Sequence, residues 1–261
     1  MNSADSPLVF ITGASSGIGQ ALALQFHRAG WRLALVARRA AEVQQWVAAQ
    51  RIDPERAQVY AADVRDVDAI TAAAAQSIAR QGLPQVVIAN AGISVGIDSA
   101  RREDLEVMRA TFETNNLGLA ATFQPFIAPM RERRSGTLVG IASVAGIRGL
   151  PGHGAYCASK AAVISYCESL RGECRPYGVK VVTIAPGYID TPLTRRNPYP
   201  MPFLMTADAF ARNAYRAIER GRSYRVIPWQ MGVAAKLLRM LPNALFDRAF
   251  AGRPRKRRRG E

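Results

Sequence analysis

Short apolar runs alternate with longer amphipathic segments over most of the chain. Apolar runs of about four to eight residues are typical of buried strands, and longer stretches with apolar residues three and four apart are typical of helices. Strands and helices that alternate in this way form a parallel sheet covered on both faces. The pattern predicts a single α/β domain built on a doubly wound parallel sheet of about seven strands. We place the strands at residues 8–12, 32–37, 57–61, 85–89, 136–142, 180–185 and 224–227.

Helices are predicted between the strands, most clearly at residues 40–50, 66–80 and 155–175. The periodicity weakens after the sixth strand because prolines follow closely on one another: Pro192, Pro198, Pro200 and Pro202. Proline has no N–H and is excluded from helix interiors and central strands, so this segment is predicted to be a long surface loop. A further helix is predicted after the loop, with Thr206 as its N-cap and Gly221 beyond its end.

Length and composition limit the class of protein. The chain has 261 residues, of which 49% are hydrophobic, enough for one sizeable core, and this excludes a mainly disordered protein. Residues 1–7 are short and polar and lack a basic flank, so we predict no signal peptide. No apolar run reaches the roughly 18 residues that a membrane-spanning helix needs. We therefore expect a soluble, cytoplasmic protein.

Cysteines and histidines are few and poorly spaced for metal binding. Cys157, Cys167 and Cys174 fall in one predicted helix, and the chain has two histidines, His27 and His153. This pattern supports neither a disulfide framework nor a zinc site, so we expect no metal. His153 lies in a predicted loop without a visible partner and is interpreted as incidental.

The net charge of +15 is concentrated near the C-terminal end. Residues 253–261, which we call the basic tail, contain Arg253, Arg255, Lys256, Arg257, Arg258 and Arg259. Such a tail either binds the phosphates of nucleic acids or anionic lipids, or is a solvated, disordered end. No nucleic-acid-reading motif with interleaved aromatic residues accompanies it. We therefore expect no specific nucleic-acid partner and favour the disordered end.

Residues 229–252, which we call the C-terminal extension, are apolar and helix-like, with Pro242 as an interruption. Three roles remain open for this segment. It would lie on an anionic membrane surface, where apolar area and basic charge act together, or cap a substrate pocket, or be buried at a subunit interface. We favour the last two over peripheral membrane contact. These boundaries leave residues 1–228 as the main domain.

A glycine-rich turn follows the first predicted strand. Residues 12–19 read Thr-Gly-Ala-Ser-Ser-Gly-Ile-Gly and lead into a helix rich in Ala and Leu. Gly13, Gly17 and Gly19 allow a tight exit from the strand and a close approach of the backbone to a pyrophosphate. The phosphates then meet the unpaired N–H groups of the helix N-terminus. Strand, turn and helix together predict a Rossmann-type dinucleotide site.

The end of the second predicted strand indicates which dinucleotide is bound. An acidic residue there would hydrogen-bond a ribose 2′-hydroxyl and repel a 2′-phosphate. This chain has Ala37, Arg38 and Arg39 instead. Two guanidinium groups favour a phosphate, so we predict NADP(H) in preference to NAD(H). The alternative is that these are ordinary surface arginines of an arginine-rich chain.

Tyr156 and Lys160 stand four residues apart in a predicted helix and therefore share one face. A free tyrosine is a poor acid near neutral pH because its ordinary pKa is about 10. A neighbouring ammonium stabilises the phenolate and lowers that pKa. The pair is interpreted as a tuned proton donor, while a chance match of so short a motif is the alternative. Ser143 upstream and the glycine-rich turn favour the functional interpretation.

With these motifs in order, the chain resembles the short-chain dehydrogenase/reductase family over about residues 7–230. Besides the glycine-rich turn, the resemblance rests on Asp63-Val64, Asn90-Ala91-Gly92, Asn115-Asn116-Leu117-Gly118, Ser143 with Tyr156 thirteen residues later, Lys160, and Pro186-Gly187-Tyr188-Ile189-Asp190-Thr191. It implies a catalytic tetrad of Asn115, Ser143, Tyr156 and Lys160. Asn115 is preferred to Asn116 because the family's asparagine precedes its glycine by three residues.

The resemblance also implies which residues hold the cofactor. Asp63 would hydrogen-bond the adenine amino group, Asn90 would support the central strands, and Thr191 would meet the nicotinamide carboxamide. For Asp63 and Thr191, a turn residue and a cap are the alternatives. The implied cofactor-binding residues are Gly13, Ser15, Ser16, Gly17, Ile18, Gly19, Arg38, Arg39, Asp63, Val64, Asn90, Ala91, Gly92, Tyr156, Lys160, Pro186, Gly187, Ile189 and Thr191.

The implied activity is hydride transfer between a nicotinamide and a carbonyl or secondary alcohol, with Tyr156 as the general acid or base. Ser143 would orient the substrate oxygen. Lys160 would lower the pKa of Tyr156 and hold the nicotinamide ribose, and Asn115 would position a water. Two other classes stay open: an NADP(H)-binding regulatory or sensing module without turnover, and an epimerase or dehydratase that uses the same tyrosine and lysine.

The substrate is expected to be hydrophobic or lipid-like. Residues 144–155 and the proline-rich loop after Thr191 are mainly apolar, and we expect both to line its pocket. Core packing is the competing explanation for about half of these apolar residues. Family members commonly form dimers or tetramers, so the resemblance implies a homo-oligomer without fixing the number of subunits.

Overall fold

A computed structural model of the chain describes residues 6–195 and 197–260. The strands are β1 (Leu8–Thr12), β2 (Arg32–Ala37), β3 (Ala57–Ala61), β4 (Val86–Ala89), β5 (Gly136–Ile141), β6 (Val179–Pro186), β7 (Ile189–Asp190), β8 (Met205–Thr206) and β9 (Tyr224–Ile227). Seven of them form one parallel sheet in the order β3-β2-β1-β4-β5-β6-β9, and β7 pairs with β8. The chain reverses its direction of growth between β1 and β4. Sheets of this kind bind ligands beside the carboxyl ends of the strands at this reversal.

The helices are α1 (Gly17–Arg28), α2 (Ala40–Ala49), α3 (Val67–Gln81), α4 (Asp104–Phe112), α5 (Gly118–Arg133), α6 (Gly154–Cys174), α7 (Ala207–Glu219), α8 (Trp229–Met240) and α9 (Asn243–Phe250). A π-helical turn, Glu113–Leu117, joins α4 to α5. One face of the sheet packs against α1, α2 and α7, and the other packs against α3, α5 and α6. The result is the three-layer arrangement expected from alternating strands and helices.

The central strands read as continuous apolar runs because both of their faces are buried. In β1, Val9 and Ile11 belong to one core cluster, whereas Leu8 and Phe10 belong to the cluster on the opposite face. Successive side chains of a strand point to opposite faces, so a sheet covered on both sides needs apolar residues at every position. This burial aligns the carboxyl ends of the strands, where the predicted motifs lie.

The predicted fold class is confirmed, with a seven-stranded parallel sheet flanked by helices. Four of the seven predicted strands have the predicted ends, and the ends of the other three differ by one residue; β6, for example, extends to Pro186. Thr206 caps α7, since its side chain accepts a hydrogen bond from Ala209 N at 3.3 Å. Gly221 follows the helix with a positive φ of 61°. The predicted main domain begins at residue 1 and the predicted basic tail ends at residue 261, and both of these positions lie outside the described residues.

The C-terminal extension forms two helices that meet at Pro242. α8 buries Met231 and Ala235 and exposes Trp229 and Leu237, which are 62% and 63% accessible. The extension is therefore amphipathic, with its apolar side divided between the domain and the surface. No described helix combines the length and the apolar character needed to cross a membrane.

The basic tail differs from the sequence expectation of a disordered end, because residues 253–260 lie against the domain. Arg258 Nε and Nη2 donate to the carboxylate of Asp104 at 2.7 and 3.1 Å, and Asp104 is only 5% exposed. The carbonyl of Arg257 accepts a hydrogen bond from Gly96 N at 2.9 Å. A buried carboxylate far away in the chain thus supplies the partner for a charge that appears unpaired in the sequence.

The described residues contain no group of three or more His, Cys, Asp or Glu side chains that could hold a metal ion. Cys157, Cys167 and Cys174 are buried free thiols. Burial raises the pKa of Cys167 to about 11. Cys167 and Cys174 belong to the core cluster around α6, where a thiol acts as a small packing group.

Candidate active site

The glycine-rich turn joins β1 to α1 in a conformation that requires glycine. Gly13 and Gly17 have positive φ values of 70° and 57°, which L side chains rarely adopt. A Cβ atom on Gly19 would overlap the carbonyl oxygen of Gly13. Asn90 at the end of β4 secures the turn, since its Nδ2 donates to the carbonyls of Thr12 at 3.0 Å and Gly13 at 3.3 Å. The turn is therefore fixed before any ligand binds.

The N-terminus of α1 points into the same region. Ser16 occupies the N-cap position but forms no side-chain capping bond among the described residues, and the first turn contains no acidic residue. The backbone N–H groups of this turn remain free for a ligand, and the positive end of the helix dipole favours an anion. This end of α1 is suited to a phosphate group.

A cleft of about 470 Å³ opens beside the carboxyl ends of the strands. It contains every residue predicted to bind the cofactor except Gly19, which packs beneath the turn. Three of the four predicted catalytic residues line it, while Asn115 lies behind its wall. The sequence did not identify the lining residues Val36, Ala37, Ala62, Ile93, Thr114, Ile141, Ala142, Pro192, Leu193 and Thr194. Most of them are next to a predicted residue in the chain, so their position at the strand ends would have identified them.

Arg38 and Arg39 follow β2 and line one end of the cleft. Arg38 Nη1 lies 3.7 Å from Asp63 Oδ2, and Arg39 Nη2 donates to Ser15 Oγ at 3.2 Å. The side chain of Arg38 is 62% exposed. Asp63 is held more closely by Arg65, whose Nη2 lies 2.7 Å from Oδ2 and whose hydrogen bonds lower the pKa of Asp63. Arg65 was not anticipated, and it competes for the carboxylate that the family resemblance assigns to adenine.

Tyr156 lies in the first turn of α6, beside Ser143 at the end of β5. Ser143 Oγ accepts a hydrogen bond from Ala145 N at 3.2 Å, which fixes its side chain. Burial raises the pKa of Tyr156 to about 12, and the neighbouring Ser143 hydroxyl opposes this rise. The sequence predicts a lowered pKa instead. The difference has a physical cause, because desolvation of the phenolate is the largest influence on this side chain.

Lys160 is 5% exposed and lies one helical turn after Tyr156. Its Nζ is 5.8 Å from the centre of the Tyr156 ring and donates to the carbonyl of Ile141 at 2.8 Å. Burial lowers the pKa of Lys160 to about 8. The ammonium is therefore anchored to β5 beside the tyrosine rather than bonded to the phenol.

Asn115 lies in the π-helical turn and is 1% exposed. Its Oδ1 accepts from Ile93 N at 2.8 Å, and its Nδ2 donates to Ile93 O at 3.1 Å. A Cβ on Gly92 would lie 3.1 Å from Asn115 Oδ1 and 3.5 Å from Lys160 Nζ, so both side chains flank that glycine. Asn116 Nδ2 instead donates to the carbonyl of Ser159 at 2.8 Å. Asn115 thus fixes the loop after β4 next to the lysine.

Ser159 is a positioning residue that the sequence did not reveal. It is fully buried, its Oγ donates to the carbonyl of Tyr156 at 2.8 Å, and it accepts from Asn115 Nδ2 at 2.9 Å. These bonds tie the turn of α6 that carries Tyr156 to the π-helical turn. Its position three residues after Tyr156 places it near the same face and is the signal that would have found it.

Residues 7–200 match the sequence model of a protein family described as short chain dehydrogenase. The chain belongs to the short-chain dehydrogenase family. It is 40% identical to an uncharacterized oxidoreductase of Myxococcus xanthus, over 92% of this chain and 94% of that protein. It is 34% identical to the dehydrogenase/reductase SDR family member 7B of Bos taurus, over 97% of this chain and 83% of that protein.

A solved short chain dehydrogenase of Burkholderia cenocepacia, in complex with NADP, has the same fold. The two structures superpose with a TM-score of 0.80 at 23% identity, over 94% of this chain and 98% of that chain. At this identity the likeness concerns the fold alone. It places the sheet and its flanking helices within the architecture of short-chain dehydrogenases.

The present chain has a second cavity, of about 300 Å³, on the other side of Ser143 and Tyr156. We call it the apolar cavity, because its walls include Val144, Ala145, Leu150, Leu193, Pro200, Pro202, Phe203, Met231, Ala234, Ala235, Leu238 and Phe250. These residues come from both segments that the sequence assigned to the substrate and from α8 and α9. The C-terminal extension therefore contributes to the wall of this cavity, as expected if it caps a pocket.

His153 also lines the apolar cavity, so its interpretation as incidental does not fit its location. It is 8% exposed, and its ring centre lies 5.9 Å from that of Tyr156. Burial and, secondarily, the positive charge of Lys256 lower the pKa of His153 to about 4, so the imidazole is neutral at physiological pH. Among the described residues, its buried Nε2 has no hydrogen-bond partner.

Proposed function

We propose that the protein is an NADP(H)-dependent oxidoreductase that interconverts a carbonyl group and a secondary alcohol on a hydrophobic substrate. One observation carries this proposal: Ser143 and Tyr156 line both the cleft and the apolar cavity. A cofactor on one side and a carbonyl compound on the other would meet at these two hydroxyl groups. Holding two reactants at one place in this way lowers the entropic cost of their reaction.

The residues of the cleft fit a dinucleotide. A Cβ on Gly17 would crowd Thr191 at 3.2 Å, so this turn requires glycine, and the α1 N-terminus offers free N–H groups beside it. Arg38 and Arg39 would hold a 2′-phosphate, and Lys160 would hold the nicotinamide ribose. When bound, NADP(H) would supply or accept the hydride.

Tyr156 would move the proton. Its raised pKa keeps the phenol protonated at neutral pH, so it can donate to a carbonyl oxygen during reduction. The Ser143 hydroxyl would stabilise the negative charge that develops on the same oxygen. The Lys160 ammonium, 5.8 Å from the ring centre, would stabilise the phenolate that remains. Asn115 and Ser159 would keep the helix that carries both residues in position.

The two directions of the reaction are expected to depend on pH in opposite ways. Because the pKa of Tyr156 is raised to about 12, the phenol predominates below that pH and only the phenolate fraction increases as pH rises. We expect kcat/KM for alcohol oxidation to rise by up to about tenfold per pH unit at pH values below about 8, where Lys160 keeps its charge. For carbonyl reduction it is not expected to rise. Initial rates in both directions over this range test the assignment, and an oxidation rate independent of pH would contradict it.

Arg38 and Arg39 are expected to set the cofactor preference. Replacing both by Ala removes two charged hydrogen-bond donors, so we expect the Kd for NADPH to rise by about 10- to 100-fold. The Kd for NADH should change by less than about threefold, since it lacks the 2′-phosphate. Fluorescence titration measures both constants, and Arg212→Ala, an exposed arginine of α7, is the matched control. Comparable Kd values of the parent for the two cofactors would overturn the preference.

A screen of carbonyl compounds with NADPH tests the activity itself. Net NADPH oxidation with steroids, fatty-acyl carbonyls, retinoids or sugars would establish the oxidoreductase and its substrate class. Product formation without net oxidation would indicate an epimerase or dehydratase, and binding without turnover would indicate a sensing module.

We further propose that the protein forms a homo-oligomer. Exposed apolar residues such as Leu105 on α4 and Trp229 on α8 support this proposal, and light scattering measures the oligomeric state.

A further inference from the structure

The basic tail contributes Arg253 and Lys256 to the wall of the apolar cavity. Lys256 lines the cavity, and its Nζ donates to Leu193 O at 3.0 Å and to Asn197 Oδ1 at 2.6 Å. Both acceptors belong to the proline-rich loop that forms the opposite wall. A lysine ammonium has three N–H donors, so one donor and the full positive charge are not matched by these two neutral groups.

The fold holds this part of the tail in place on both sides of Lys256. Arg258 is bound by the buried carboxylate of Asp104 at 2.7 Å. A Cβ on Gly96 would overlap the carbonyl of Lys256, and a Cβ on Gly152 would lie 2.9 Å from the Arg255 side chain. Glycine at these positions permits the tail to pack directly on the domain. Because these contacts already hold the tail on the domain, the positive charge of Lys256 is not needed for that purpose.

The charges around the apolar cavity are uncompensated. Its described lining includes Arg148, Arg253 and Lys256 but no aspartate or glutamate. Arg148 is engaged elsewhere, since its Nη1 donates to the carbonyls of Leu238, Arg239 and Leu241 at 2.8 to 3.0 Å. Arg253 lies over the Phe250 ring at 4.6 Å. A positively charged cavity with apolar walls is complementary to a molecule that has an apolar body and an anionic group.

Two properties of the cavity indicate that it is incomplete without a polar ligand. Burial lowers the pKa of Lys256, and the described lining of the cavity offers its ammonium neutral acceptors but no carboxylate. His153 Nε2, in the same cavity, is buried without a partner among the described residues. A buried polar group without a hydrogen bond is costly, and a bound ligand would satisfy it.

We propose that Lys256 is a specificity-determining residue that binds an anionic group, a carboxylate or a phosphate, of a substrate whose apolar part fills the apolar cavity. The inference rests on the proposed function, since it concerns the substrate of the same site. It assigns a role to the basic tail within the chain's own active site.

The test compares three probes of equal chain length: octanoate, octyl phosphate and octanol. Their binding to the full-length protein, with and without NADP⁺, is measured by isothermal titration calorimetry at constant ionic strength. A charge-assisted hydrogen bond predicts that at least one anion binds about 10- to 100-fold more tightly than octanol. The tighter of the two anions identifies the source of the charge. Equal affinities for octanol and both anions would overturn the proposal.

Three variants assign the effect to Lys256. Lys256→Met, similar in length but uncharged, is expected to lose the anion preference to within about threefold of octanol. Lys256→Arg should retain it, and Arg259→Met, an exposed neighbour in the tail, is the matched control. An anion preference that persists in Lys256→Met overturns the proposal. Tighter binding of all three probes by that variant does so as well, because it would mean that the tail only obstructs the cavity.

Failure of the proposed function appears in a different measurement. If NADPH binds but no carbonyl compound is reduced, the oxidoreductase assignment fails while anion binding by Lys256 is still measured by calorimetry. If reduction occurs and oxo acids react no faster than their methyl esters, Lys256 does not select the substrate. The two results are independent because calorimetry requires no turnover.

Discussion

Replacing Tyr156 by Phe is expected to lower kcat for NADPH-dependent carbonyl reduction by about 10²- to 10⁴-fold, the usual contribution of a positioned general acid. Phenylalanine keeps the ring but removes the phenol hydroxyl of a residue that lines both the cleft and the apolar cavity beside Ser143. The Kd for NADPH should stay within about threefold of the parent value, because the glycine-rich turn and the arginines are untouched. Steady-state kinetics and a fluorescence titration measure the two quantities.

Tyr166→Phe is the matched control for this variant. Tyr166 lies on the same helix, α6, but is 38% exposed and outside both cavities. The same hydroxyl is removed there, and we expect no more than about a twofold change in kcat. If Tyr156→Phe turns over near the parent rate while it binds NADPH normally, Tyr156 is not the proton donor and the proposed mechanism is wrong.

The sheet could be predicted from the sequence because its strands are buried on both faces. In β1 the residues Leu8–Ile11 supply side chains to two cores, so four successive positions are apolar and the strand is visible in the sequence. The glycine-rich turn is equally local, since a positive φ at Gly13 and Gly17 leaves few alternatives to glycine. Features determined by neighbours in the chain are therefore readable without a structure.

Features that depend on distant partners were not predictable in this way. The basic tail looks disordered until the buried carboxylate of Asp104 is brought to Arg258, which lies 154 positions away in the chain. His153 looks incidental until the loop that carries it forms the wall of the apolar cavity. In both cases the role of the side chain depends on its tertiary contacts rather than on its spacing in the sequence.

The pKa of Tyr156 shows the same dependence on tertiary structure within the site. The spacing of Tyr156 and Lys160 correctly places both on the same part of α6. It does not reveal that burial raises the pKa of the phenol to about 12 or that the ammonium is bonded to Ile141. Spacing determines which charges are neighbours, whereas desolvation depends on how deeply they are buried. The sign of a pKa shift therefore requires the structure.

Lys160→Met is expected to lower kcat by about 10²- to 10³-fold, because an electrostatic group that stabilises developing charge is lost. Its effect on stability is expected to have the opposite sign. Lys160 is 5% exposed, and burial lowers its pKa from 10.5 to about 8. At pH 7 the amine is charged in the folded and unfolded states, so the folded state bears a desolvation penalty of about 3 kcal/mol.

The variant removes this penalty and keeps most of the apolar stem. It also leaves the carbonyl of Ile141 without its 2.8 Å donor, which costs about 1 to 3 kcal/mol. We therefore expect Lys160→Met to be as stable as the parent or more stable by about 1 to 2 kcal/mol at pH 7. Urea denaturation gives the free energy of unfolding, and Lys180→Met, an exposed lysine of β6, is the matched control.

The pH dependence separates this account from simple packing. Between about pH 8 and 10.5 the folded protein has released the Lys160 proton while the unfolded chain still binds it, so the parent gains stability as pH rises through this window. The methionine variant lacks this gain, and its advantage over the parent should shrink by about 3 kcal/mol between neutral pH and the upper end of the window. A stability difference that does not change with pH would show that Lys160 is not a desolvated charge. An inactive variant with the predicted pH dependence would show instead that activity depends on the charge whose burial destabilises the fold.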